Sequence, residues 1–142
     1  MSIFPTKILL AIDGSKESEL ASRTAADLAK SHDSKLHVVY VEPALPMIDQ
    51  FADPGPERTS PESRRLLDEQ VKRIEEAGGT VAEAHLRLGR PDDQIVRVSE
   101  EVGAGLIIIG SRGRGGVRRA LMGSVSDSVV RHAHCPVLVV RE

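Results

Sequence analysis

Tryptophan is absent from the 142 residues, and Phe4, Tyr40 and Phe51 are the only phenylalanines and tyrosine. Proteins that stack nucleic-acid bases on aromatic platforms need more than three such rings. The one cysteine, Cys135, excludes an internal disulfide and any multi-cysteine metal site. A single thiol also fits a reducing compartment. Charge of one sign is not in excess: 19 basic residues face 21 acidic ones, a formal charge of −2. Nucleic-acid binding by bulk positive charge is therefore excluded. No apolar run approaches the ~18 residues of a membrane span. The longest near the start, Ile8 to Ile12, has only Lys7 before it as a charge and lacks the features of a secretory signal. A soluble, cytoplasmic protein with no membrane partner is expected.

The length fits one domain, residues 1–142, at the usual ~100–150 residues per domain. Such a domain buries roughly 68% of its unfolded surface and needs no covalent staple. Its apolar runs are of two kinds. Lys7–Ile12 is short, apolar and followed at once by Asp13-Gly14-Ser15, as in a strand buried on both faces. A helical stripe follows, with Leu20, Ala21, Ala25, Leu28 and Ala29, and Ser15 is its N-cap. Leu36–Val41 reads as the second strand. Residues 42–60 carry Pro43, Pro46, Pro54, Gly55 and Pro56 without periodicity and read as a long, mobile loop. Ser60-Pro61 opens a second helix, which Gly78-Gly79 ends. In Val81–Leu88 the small and apolar residues alternate with Glu83, His85 and Arg87, which predicts a half-exposed edge strand. A third helix carries Ile95, Val98 and Val102. Leu106–Ile109 is the most apolar strand and is expected at the centre. A helix from Ser124 to about Ala133 and a strand over 136–140 close the chain. Strands alternating with helices predict an α/β fold: a doubly wound, five-stranded parallel sheet with helices on both faces.

In such a sheet, ligands bind at the carboxyl ends of the strands, where the strand order reverses. The first strand ends in Asp13 and the fourth in Gly110. If they are neighbours, both face one crevice. The segment 110–124 is rich in glycine, which lets backbone approach a ligand closely. It also holds Arg112, Arg114, Arg118 and Arg119, which leaves 15 basic against 21 acidic residues elsewhere. Positive charge is thus gathered just ahead of a helix start at Ser124, where the dipole favours an anion. The P-loop pattern GxxxxGK[ST] is missing, and no GxGxxG follows the first strand.

The spacing Gly110-x2-Gly113-x9-Gly123-Ser124 resembles the ATP-binding branch of the universal stress proteins, which share G-x2-G-x9-G-[S/T]. The opening KILLAIDGS, the run IIIGSRGRGG and the closing HCPVLVV extend the resemblance over essentially the whole chain. It implies a Rossmann-like fold and an ATP site. Ile12 and Asp13 would lie by the ribose and adenine, and Val41 would meet the adenine through its backbone. Ile109, Gly110, Arg112 and Gly113 would line the ribose and phosphate path. Gly123, Ser124, Val125 and Ser126 would hold the phosphates. Mg²⁺ would accompany ATP, with Asp13 as its candidate protein ligand. The resemblance also implies a homodimer through the last strands, Val137–Val140. The favoured reading is a homodimer that senses or buffers adenine nucleotide in a stress response and passes that state to a protein partner.

Other readings compete. Asp13 alone could do no more than shape the Asp-Gly turn. A response-regulator receiver would need an acceptor Asp ending the third strand, where Leu88-Gly89 stands. His132, His134 and Cys135 have the chemistry of zinc ligands but no second ligand cluster, so a structural role is expected. No GxSxG elbow and no dedicated base are present, so binding is favoured over turnover. A slow ATPase or nucleotide-transferring enzyme would reveal itself by phosphate release that disappears with Asp13→Ala. A nucleotide-independent interaction module would capture its partner equally with and without ATP.

Overall fold

The computed structural model describes residues 5–43, 59–111 and 124–141. Its elements run β1 (Lys7–Ile12), α1 (Lys16–His32), β2 (Lys35–Pro43), α2 (Pro61–Glu76), β3 (Val81–Gly89), α3 (Pro91–Val102), β4 (Leu106–Gly110), α4 (Ser124–His132) and β5 (Val137–Val140). All five strands form one parallel sheet in the order β3-β2-β1-β4-β5. The chain steps outward from β1 to β3, then returns to the other side of β1. With crossovers of one hand, that reversal puts the first two helices on one face and the last two on the other. The core shows the division. Ala21, Ala25 and Ala29 of α1 and Leu67 and Ile74 of α2 pack against Ile8, Leu10, Val38 and Ile108. Ile95 and Val98 of α3 and Val129 of α4 pack against Leu9, Val39 and Ile107.

The expected fold class and the edge position of β3 hold. The centre does not: β1 occupies it, with β4 beside it. Both strands are buried on both faces, so apolarity alone does not rank them. The expected half-exposure of β3 needs a second correction. Its polar side, His85 and Arg87, is half-buried under α3, whereas Ala82 and Ala84 on the opposite side are exposed.

Local chemistry sets the helix boundaries. Ser15 caps α1 by accepting the Ser18 N–H at 3.1 Å, and Asp33 ends it in the left-handed region (φ 55°). Ser60 caps α2, accepting the Ser63 N–H at 3.2 Å ahead of Pro61. Glu42, read as the first residue of the long loop, lies instead within β2. Its carboxylate accepts from the Ser60 N–H at 2.9 Å, the Ser60 hydroxyl at 2.8 Å and the Ser63 hydroxyl. Burial alone would raise the Glu42 carboxyl, but these hydrogen bonds outweigh it and hold the group below its ordinary value. Residues 44–58 of that loop lie outside the described residues. Asp92, in the first turn of α3, accepts from the Ser128 hydroxyl at 2.7 Å and from Arg90 at 2.9 Å, which ties α3 to α4. No helix among the described residues is long and apolar enough to cross a membrane.

Candidate functional site

The β1–β4 ladder ends at Leu10↔Ile108. β1 nevertheless continues to Ile12 against β2, and β4 continues to Gly110 against β5. Ala11–Ile12 and Ile109–Gly110 are therefore not paired with each other. This is where the strand order reverses, and in doubly wound sheets a crevice forms between the carboxyl ends of the strands at such a point. On the other side of β1, pairing with β2 stops at Ile12↔Tyr40. Beyond it, β2 runs on from Val41 to Pro43 paired with β3. The β1-facing edge of that extension borders the same end of the sheet.

Asp13 stands at the tip of β1, half-buried. Its Oδ1 accepts the Ser15 N–H at 2.8 Å, and its own N–H donates to Ser18 Oγ at 3.0 Å. The left-handed Gly14 (φ 83°) makes this tight reversal possible. The turn thus fixes the Asp13 carboxylate at the crevice mouth.

Across the crevice, Ser111 is 4% exposed, and its N–H donates to the Val140 carbonyl at 2.8 Å. Its carbonyl accepts the Ser126 hydroxyl at 2.8 Å. That bond sets the first turn of α4 against the carboxyl end of β4, bringing the positive end of a helix dipole to the crevice. Ser124 is exposed there, Val125 packs on the core of the α3/α4 face, and Ser126 is buried. Ile12, Val41 and Ile109 are buried, with Gly110 half-buried. The expected residues Ile12, Asp13, Val41, Ile109, Gly110, Ser124, Val125 and Ser126 are thus gathered at one end of the sheet. Arg112, Gly113 and Gly123 lie outside the described residues.

Sequence reasoning missed Ser18 and Ser111, which hold the two rims. The signal for Ser18 was its place three residues after the cap, as the first N–H acceptor available to a turning chain. Ser111 had none beyond following a strand.

The histidines near the end each have a polar partner of their own. His132 Nδ1 donates to the Ser128 carbonyl at 2.8 Å, and His134 pairs with Glu100 at 2.7 Å. Burial pushes the Cys135 thiol up, away from the reactive thiolate.

The fold is a doubly wound α/β domain whose strand order reverses between β1 and β4, the place where sheets of this kind take their ligands. The universal stress protein family matches residues 5–141, and the chain belongs to that family. A universal stress protein of Methanocaldococcus jannaschii is 34% identical over 143 residues, which cover 96% of this chain and 82% of that protein. A universal stress protein solved in complex with cAMP aligns with a TM-score of 0.74 and 26% identity, covering 96% of this chain and 97% of the other. One from Archaeoglobus fulgidus, in complex with dAMP, aligns at 0.66 and 28%, covering 98% and 99%.

Proposed function

We propose that this protein binds an adenine nucleotide, ATP with Mg²⁺, at the switch-point crevice. Nucleotide occupancy is passed to a protein partner as part of a cytoplasmic stress response. The observation that carries the reading is the early end of the β1–β4 ladder, with Asp13 on one rim and the start of α4 on the other. The spacing Gly110-x2-Gly113-x9-Gly123-Ser124 supports it from the sequence. The cAMP and dAMP complexes of two relatives support an adenine ligand. The adenine would lie against the backbone of Ile12 and Val41 and the ribose by Asp13. The phosphates would run along Ile109, Gly110, Arg112 and Gly113 to Gly123, Ser124, Val125 and Ser126. Asp13 suits Mg²⁺, which takes one or two carboxylates together with substrate phosphates.

The test is thermal unfolding of nucleotide-stripped protein with Mg-ATP, Mg-GTP, AMP, cAMP or no ligand. A ligand at 100 times its dissociation constant stabilises by ~2.7 kcal/mol, a rise of roughly 5–10 °C for a domain of this size. A rise with adenine nucleotides and not with GTP is expected. No rise with any of them would remove the proposal and leave a ligand-free interaction module.

The same reading joins two copies through Val137–Val140. β5 is an edge strand, and Leu138 on it is 37% exposed, an apolar edge that invites pairing. Light scattering at micromolar concentration is expected to give a dimer mass, and a monomer mass would overturn this assembly.

A further inference from the structure

We propose that His37, Glu83 and His85 form a binding site for a borderline divalent cation of the zinc type, clipping edge strand β3 to β2. This goes beyond nucleotide binding and does not depend on it. His37 pairs in register with Glu83 across the β2–β3 ladder, and His85 lies two residues further along β3 on the same side. The ladder itself therefore brings the three side chains together.

Their ligand atoms form a nearly regular triangle. His37 Nδ1 and His85 Nε2 are 3.3 Å apart, and Glu83 Oε1 is 3.7 Å from the first and 3.4 Å from the second. A tetrahedral zinc site with bonds of about 2.0–2.1 Å has ligand–ligand edges of about 3.3–3.4 Å. Among the described residues, these three are the metal-ligating side chains that converge in this way. The donor set is two imidazoles and one carboxylate, which suits Zn²⁺, Co²⁺ or Ni²⁺ better than Mg²⁺ or Ca²⁺.

The surroundings favour a cation in one respect and limit its affinity in another. Burial lowers both imidazoles, against the opposing pull of Glu83, a shift in the direction of the neutral form that can ligate a metal. Lys7 and Lys35 act on His37 with like charge, and Arg87 acts on His85. Arg87 is itself held by Glu101 at 2.6 and 3.3 Å, which offsets its charge. The Glu83 side chain is 62% exposed, so an ion can enter and a water can complete the tetrahedron. His37 is level with Leu9, four residues before Asp13 along β1, so the site lies about 13 Å down the strands from the crevice mouth.

The test uses the full, untagged chain stripped with chelator and titrated with Co²⁺ alone, followed by its visible ligand-field bands. One equivalent per chain with tetrahedral intensity, displaced by Zn²⁺, is expected. Zn²⁺ should also raise the thermal midpoint. His85→Gln and Glu83→Gln stand at the edge strand and should fold. Each should weaken Co²⁺ binding by more than the ~10–100-fold typical of losing an outer-shell partner. His134→Ala should leave the bands intact. No tetrahedral bands in the native chain, or bands that survive in H85Q and E83Q, would overturn the proposal. His37 and His85 would then be a hydrogen-bonded pair that joins the two strands without a metal.

Discussion

Ile108→Ala is expected to cost about 4 kcal/mol, in the upper half of the range for buried isoleucine to alanine. Ile108 is fully buried in β4, paired with Leu10 on one side and Leu138 on the other. It sits in the same core cluster as Ala21, Ala25 and Ala29 of α1. Alanines bring helix backbone close to the sheet, and backbone on both sides cannot collapse into a space left by a deleted side chain. The cavity should therefore persist, which is what places the cost high. For a domain of this size the midpoint should fall by about 10–15 °C. The neighbouring Leu138→Ala is the internal control. Leu138 is 37% exposed, so in a dilute monomer its loss should cost about 1–2 kcal/mol, at most half the effect of Ile108→Ala. Urea unfolding of both variants checks the pair. Equal effects would mean that β4 is not an interior strand of the sheet.

The order of elements was legible because its signals are local. Ser15 and Ser60 announce their helices as cap residues, and both make the cap bond at the expected place. Glu83, His85 and Arg87 announce a strand by period two. What the sequence does not carry is which residue stands beside which across strands. Glu42 looked like loop because Pro43 follows it, yet pairing with β3 carries β2 through Pro43, and Ser60 then bonds back to Glu42. His37 was unremarkable in an apolar strand until register set it opposite Glu83. The candidate crevice lies between these cases. Asp13 and the glycine spacing are visible in one dimension. The early end of the β1–β4 ladder, which makes an opening of them, is a property of the assembled sheet.

Asp13→Ala is expected to weaken adenine-nucleotide binding by about 10–150-fold, the equivalent of one charge-assisted hydrogen bond. The same substitution should cost about 1 kcal/mol of stability, because the Ser15 N–H loses its acceptor at 2.8 Å. These two effects must be separated, and Asp13→Asn does so. Asparagine keeps a side-chain oxygen for Ser15 and is itself a good turn residue, so stability should hardly change. It loses the negative charge, so any interaction with Mg²⁺ should weaken. A hydroxyl of the ribose could still donate to the amide oxygen. The two variants therefore predict a pattern in three titrations, with Mg-ATP, with ATP in chelator and with AMP. In D13A all three affinities should fall. In D13N the Mg-ATP affinity should fall more than that for AMP if the carboxylate holds the ion. Equal losses for Mg-ATP and AMP in D13N would confine Asp13 to the sugar. Unchanged affinities in D13A would remove Asp13 from the site and leave it as the residue that shapes the turn after β1.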